Sequence, residues 1–315
     1  MARCALCNEA HCVGVFRALL PYTPDPQPLM PNVDQFESVF RSAAKEVYKR
    51  HDIPLNDALV VTDLPRDQAQ TFADRLTQFM SATEHDIKLM VLAADDYRGT
   101  GELLERVENR APHLICAYRN LHSPDFERPY SLGEHLDVLT QVASAPVLVV
   151  PNPRLSGEAN KRWQNAGTNK VMVVTDHLDG DSRLIDWAVL FAANKGRLLL
   201  THVEDDVTFR RYIEAISKIP TINTDQAQLL IGRQLLKEPA DYIESIKAAL
   251  EADGVALSVA AHVAMGHRLG DYKRLIEDNE AGLLVLNTRD DDQLAMHGLA
   301  YPLAVELRDV PMLML

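Results

Sequence analysis

The chain contains one pattern twice, and that repetition limits what it can fold into. Residues 72–119, "FADRLTQFMSATEHDIKLMVLAADDYRGTGELLERVENRAPHLICAYR", line up with residues 242–289, "YIESIKAALEADGVALSVAAHVAMGHRLGDYKRLIEDNEAGLLVLNTR". Both read as helix, apolar strand, loop, short amphipathic helix, apolar strand. Each copy closes with a further helix and strand, "SLGEHLDVLTQVASAPVLVV" and "HGLAYPLAVELRDVPMLML". The offset is nearly constant, with strands starting near His113 and Gly282, 169 residues apart, and near Pro146 and Pro311, 165 apart. This is the signature of a tandem duplication.

The earlier part of each copy follows by working backwards. In the second, "KVMVVTD" reads as a first strand, "DSRLIDWAVLFAANKG" as a helix capped by Asp181 or Ser182 and ended by Gly196, and "RLLLTHV" as a second strand. In the first, "CVGVFRALL" serves as strand one, "VDQFESVFRSAAKEVYKR" as helix one and "ALVVTD" as strand two. A second parse makes residues 3–11 a truncated helix and Val13–Leu20 the second strand. Short, continuously apolar strands alternating with helices require a parallel sheet covered on both faces. The expected domains are therefore 1–151 and 170–315, joined by the polar, Pro- and Gly-containing linker 152–169. A helical insertion is expected at 204–237, where "FRRYIEAISKIP" and "TDQAQLLIGRQLLK" both have helical spacing.

Charge and composition narrow the function classes. With 45 acidic against 32 basic side chains the net charge is −13, and such a surface repels phosphate backbones. Nucleic acid and anionic membranes are poor partners for it. No apolar run reaches the ~18 residues of a membrane span, and the first residues lack a signal-peptide core. A cytoplasmic protein is expected. Cys116 lies in the apolar run "HLICAY", where a free thiol acts as a small buried hydrophobe.

The segments "VMVVTDHLDGDSRLIDWAVLFAANKGRLLLTHV", "APVLVVP" and "VPMLML" together resemble the universal stress protein family in tandem form. The resemblance implies two open parallel five-stranded sheets of order 3-2-1-4-5, with helices on both faces. Its domains pair through their last strands, which implies an internal pseudo-dimer, with a homodimer as the further assembly. ATP-binding relatives carry Gly-x-x-Gly, nine residues, then Gly-Ser or Gly-Thr after the fourth strand, because glycines admit phosphates to the backbone and a helix N-terminus. Here the second copy has Asn287 and Asp290 in place of the glycines, seven residues before Gly298, then Leu299. The first copy has Ala117 and Asn120, twelve residues, then Gly133 and Glu134. Glu134 and Asp290–Asp292 would each cost on the order of 1 kcal/mol beside a triphosphate.

The resemblance still outlines a degenerate nucleotide crevice in the second copy, lined by Asp176, His177, Val203, Asn287, Thr288, Arg289 and Gly298. The expected function is non-catalytic, stress-related regulation through a protein partner, without a cofactor and without ATP bound in the usual way. The alternative is an ATP- and Mg²⁺-binding protein, weakly hydrolysing, that uses the second copy. A third reading, a metal or thiol-redox sensor, rests on Cys4, Cys7, His11 and Cys12, or on His177, His202, His262 and His267 with Asp176 and Asp205 at strand ends. The N-terminal cluster stands alone and precedes the first strand, whereas a redox pair belongs at a helix N-terminus, so scaffold is the simpler reading. No nucleophile elbow, Walker loop or His-Glu-x-x-His helix occurs.

Overall fold

A computed structural model describes residues 46–124, 131–157, 163–175, 178, 180–288 and 300–315. The described strands are β1 (Asp57–Val61), β2 (Lys88–Leu92), β3 (Ile115–Tyr118), β4 (Val147–Val150), β5 (Lys170–Thr175), β6 (Arg197–Asp205), β7 (Ser258–Gly266), β8 (Leu283–Leu286) and β9 (Met312–Met314). The helices are α1 (Arg66–Met80), α2 (Thr100–Arg110), α3 (Glu134–Val142), α4 (Ser182–Phe191), α5 (Asp206–Ile216), α6 (Thr224–Ala252), α7 (Arg268–Asn279) and α8 (Ala300–Glu306).

All the described strands belong to one nine-stranded sheet of order β2-β1-β3-β4-β9-β8-β5-β6-β7. Every residue of β3, β4 and β8 is buried, so both faces of the sheet are covered there. That burial explains their unbroken apolar sequences. All pairings are parallel except β4 with β9, where Val147, Leu148 and Val149 face Met314, Leu313 and Met312 in antiparallel register. The α/β fold and its parallel pairing follow the sequence pattern. The expected pair of separate sheets is corrected to one, because β4 and β9 hydrogen-bond directly.

The first half needs a second correction. Among the described residues "ALVVTD" holds the central position expected of a first strand: β1 pairs with β2 on one side and β3 on the other, and the Leu59 N–H donates to the Leu114 carbonyl at 2.8 Å. Leu59 stands opposite Ile115 as Met172 stands opposite Leu284. Ile115 and Leu284 are equivalent in the repeat, so β1 is the counterpart of β5. "CVGVFRALL" and most of the proposed first helix lie outside the described residues. The end of that helix is not helical, since residues 46–50 have no regular structure. Instead the Tyr48 N–H donates to Ser245 Oγ at 3.0 Å and its hydroxyl to Asp186 Oδ1 at 2.5 Å. These bonds tie the lead-in of β1 to α4 and α6.

Helix boundaries follow local chemistry. Asp181 caps α4 by accepting from the Leu184 N–H at 3.0 Å, but the helix ends at Phe191, ahead of Gly196. Gly196 serves the turn instead, since a Cβ there would meet the Ala193 carbonyl oxygen at 2.6 Å. Both segments of the expected insertion are helical as α5 and the start of α6, although α6 runs on without a break to Ala252. Only its later part is buried, through Pro239, Tyr242, Ile243, Ile246 and Leu250. In the polar stretch after β4, Trp163 is buried against Phe79, with ring centroids 5.4 Å apart, under the Arg75 guanidinium. Arg75 Nη2 also donates to the Trp163 and Ala166 carbonyls at 2.6 and 2.7 Å.

Because the halves share one sheet across β4 and β9, the described fold should unfold in a single calorimetric transition. Leu313→Ala removes a wholly buried side chain at that joint and should cost about 2–5 kcal/mol without splitting the transition. Two resolved transitions in the parent would contradict a continuous sheet.

Candidate functional site

In a sheet of this kind the ligand crevice lies beyond the carboxyl ends of the strands, where successive connections turn to opposite sides. In the second half that point is between β5 and β8. The chain there closes the gap with its own groups. Tyr272 of α7 is fully buried, and its hydroxyl accepts from the Val203 N–H at 2.9 Å and donates to the Thr175 carbonyl at 2.6 Å. It thereby continues the β5–β6 ladder one step past the last pair, Thr175 with His202. Val203 is itself buried. Its amide, the polar group it could have offered to a ligand, is already paired.

Asn287 and Thr288 are committed as well. Asn287 Nδ2 donates to Asp181 Oδ2 at 2.5 Å, linking the end of β8 to the cap of α4. Thr288 Oγ1 and the Thr288 N–H both donate to the Leu315 carbonyl, at 2.6 and 2.9 Å. Of the expected crevice residues, Val203, Asn287 and Thr288 are thus brought to the carboxyl ends of β6 and β8, each engaged with protein. Asp176, His177, Arg289 and Gly298 lie outside the described residues, as do Asp290–Asp292.

The first half holds a denser polar network that the sequence reading missed. Asp63, just past β1, is the counterpart of Asp176, and its carboxylate is only 5% exposed. Arg154 Nη1 donates to both of its oxygens at 2.8 and 2.7 Å, the His122 N–H donates at 2.8 Å, and the Tyr118 hydroxyl donates as well. Tyr118 Oη also lies 2.7 Å from Thr62 Oγ1. Burial alone would raise the Asp63 pKa. The hydrogen bonds from Arg154, Tyr118 and the His122 amide, with the Arg154 charge, outweigh it and hold the carboxyl below its ordinary value. The missed signal is plain in retrospect: "VVTD" occurs at both 60–63 and 173–176.

Beside this network, the Tyr97 ring meets the imidazoles of His122 and His135 at 4.9 and 5.7 Å between centroids. Tyr97 Oη and His135 Nε2 are buried without a hydrogen-bond partner among the described residues. Burial first, then the nearby His122, lowers the His135 pKa and favours its neutral imidazole. Gly133 keeps a glycine for an internal reason. At φ +90° a Cβ would stand 2.7 Å from Asn120 Cα, so its small size lets two backbone segments meet (Asn120 N–H to Leu132 carbonyl, 2.8 Å). Arg119, at the end of β3, is buried and donates to the Leu307 carbonyl at 2.6 Å, clamping the first half to the second. Burial depresses its guanidinium pKa to about 9, with Arg308 adding to the shift and Asp309 opposing it.

Among the described residues His202, His262 and His267 form no common ligand group, and His177 lies outside the described residues. His202 Nε2 lies 3.3 Å from Glu204 Oε2, and His267 Nδ1 lies 3.2 Å from Asp206 Oδ1. Asp205 caps α5 through the Val207 and Thr208 amides. Among the described residues no three His, Cys, Asp or Glu side chains are grouped to hold a metal ion. Cys4, Cys7, His11 and Cys12 lie outside the described residues. Cys116 is buried and free, and burial pushes its thiol pKa up. Among the described residues no helix is long and apolar enough to cross a membrane.

No protein-family model matches the chain, and no curated protein does. Solved structures do. One is a functionally unknown protein from Pseudomonas aeruginosa PAO1, at 14% identity and TM-score 0.43, covering 83% of this chain and 92% of that one. A candidate universal stress protein from Pseudomonas aeruginosa UCBPP-PA14 matches at 13% identity and TM-score 0.43, covering 83% and 93%. A universal stress protein from Archaeoglobus fulgidus DSM 4304 matches at 14% identity and TM-score 0.44, covering 83% and 88%. Universal stress proteins are therefore among the structures this chain is similar to.

The Asp63 network gives a pH signature. A carboxyl with a depressed folded pKa contributes stability that is present above its unfolded pKa, about 3.9, and lost as pH falls through the folded value. Asp63→Asn should cost about 1.5–3 kcal/mol at pH 7, where charge-assisted bonds are lost. Urea unfolding from pH 6 downward should show the gap between variant and parent closing below about pH 4. A gap independent of pH would show that the carboxylate charge plays no part.

Proposed function

We propose that the protein is a universal-stress-type regulatory protein whose two halves, 1–151 and 170–315, form an internal pseudo-dimer about the linker 152–169. The order β7-β6-β5-β8-β9 supports this, since it corresponds to 3-2-1-4-5 when the second half is numbered alone. So does the antiparallel joint between the last strands of the two halves. Its mode of action is non-catalytic, through a protein partner in the cytoplasm, without ATP held in the usual way.

One observation carries the reading on ATP. The Tyr272 hydroxyl bridges the Thr175 carbonyl and the Val203 N–H, so the backbone groups at the mouth of β5 and β6 are already paired. A nucleotide using them would have to displace a buried hydroxyl and leave it unsatisfied, at about 1–3 kcal/mol. Missing phosphate-loop glycines at Asn287 and Asp290 act in the same direction.

The test is a thermal shift with ATP and Mg²⁺. Ligand at 100 times its Kd stabilises a binder by about 2.7 kcal/mol. The expected outcome is no shift at millimolar ATP. A shift of that size, abolished by Asn287→Ala, would establish the second half as a nucleotide site and overturn the proposal. Tyr272→Phe should lower stability by about 1–3 kcal/mol in urea titration, because Val203 N–H and Thr175 carbonyl lose their shared partner.

A further inference from the structure

Arg119 carries a positive charge into the seam between the halves. It stands just past β3 and is only 4% exposed. Its Nη2 donates to the Leu307 carbonyl at 2.6 Å, a neutral acceptor. Its Nε is buried without a hydrogen-bond partner among the described residues. A guanidinium stays charged and holds its five N–H donors in a planar fork, and buried charges are ordinarily paired, because desolvating an unpaired ion is costly. Two other arginines of the fold find such compensation. Arg154 meets the Asp63 carboxylate, and the Arg75 guanidinium lies 4.5 Å from the centre of the Trp163 ring. Among the described residues Arg119 has neither kind of partner in contact.

A second arginine adjoins the first. Arg308 follows the accepting Leu307 in the chain and is half-buried. After burial itself, its charge is what lowers the Arg119 pKa further, while Asp309 opposes the shift. Together Arg119, Arg308 and Asp309 sum to +1, inside a chain of net −13. The neighbouring acid, Glu306, is already paired with Lys273 Nζ. The Arg119 backbone is held in place, since the buried Asn152 donates from Nδ2 to its carbonyl at 2.9 Å.

The place is not the strand-end crevice. In the first half that crevice lies between β1 and β3, where Asp63 and its partners stand. In the sheet β3 is followed by β4 and then β9, and Leu307 lies between α8 and β9. Arg119 therefore reaches the other way, past the end of β4 to the turn that leads into β9. An oxyanion suits such a spot, because guanidinium forks match its oxygens in pairs. A phosphate-type dianion also balances the two arginine charges, which a single carboxylate does not.

We propose that a tetrahedral oxyanion of the phosphate class binds at this seam, bridging Arg119 of the first half and Arg308 of the second. Bound there, it fastens the turn before β9 to the end of β3 and so stiffens the joint between the halves. This depends on the two arginines and not on the family reading or on the absence of ATP. Isothermal titration calorimetry of the full chain with inorganic phosphate, at about pH 8 and fixed ionic strength to hold screening constant, tests it. One phosphate should bind per chain with a Kd below about 1 mM, sulfate should compete, and acetate should bind at least about tenfold more weakly. Arg308→Gln, at a half-buried position, should weaken phosphate by at least about tenfold with circular dichroism unchanged. Arg119→Lys, which keeps the charge and loses the fork, should do the same. Phosphate should raise the urea midpoint of the parent but not of Arg308→Gln. No saturable binding up to about 10 mM phosphate overturns the proposal, as does binding that both variants retain. Acetate binding as tightly as phosphate overturns the choice of a tetrahedral anion. Phosphate binding lost in Asn287→Ala but kept in Arg308→Gln places the anion in the second-half crevice and overturns the seam site.

Discussion

The rest of the structure depends on three antiparallel residue pairs between β4 and β9. Each half is a parallel array whose last strand is apolar on both faces, and such a strand left at an edge would expose unpaired amides and Val, Leu and Met side chains. Pairing the two last strands buries both, and Leu148 and Leu313 are wholly buried where they meet. Burial of each is worth about 1.5–3 kcal/mol. The direction of pairing has a functional consequence. Because β4 and β9 are antiparallel, the carboxyl ends of the two parallel arrays face opposite ends of the sheet, and the two crevices are kept apart. Arg119 reinforces the joint by crossing from the end of β3 to the Leu307 carbonyl.

At the carboxyl ends of both parallel arrays a tyrosine hydroxyl pairs with polar groups of the chain. In the second half Tyr272 joins the diverging ends of β5 and β6. In the first half Tyr118 donates to Asp63 while Arg154 neutralises it. Buried polar groups at strand ends must find partners, because an unpaired one costs about 1–3 kcal/mol. Where the chain supplies those partners, a ligand has less to offer. Gly133, in the first half, uses its conformational freedom to let the Asn120 backbone approach.

Much of this fold was legible in the sequence. Apolar runs such as "LLVL" and "VLVV" mark strands buried on both sides, and the 3- and 4-residue spacing of Phe72, Ala73, Leu76, Phe79 and Met80 marks a helix face. The assignment of "ALVVTD" to strand two failed because apolar strands of similar length do not declare their neighbours. Pairing partners are set by packing across the sheet. The repeated "VVTD" held the register. Asn287 and Thr288 lie just past the end of β8, and sequence spacing gave no sign that Asp181 and the Leu315 carbonyl would satisfy them. Tyr272 and Arg154 were not singled out because each acts across more than 60 residues of chain, on Val203 and Asp63. Such contacts leave no local pattern.

The central proposal is that groups of the chain itself, the Tyr272 hydroxyl between Thr175 and Val203 and the Asp181 carboxylate on Asn287, stand in for nucleotide at the described strand ends of the second half. Native mass spectrometry of the protein as purified tests it most directly. The account predicts only the mass of the polypeptide, or a multiple of it, with no retained small molecule. A stoichiometric adduct with the mass of an adenine nucleotide would contradict it.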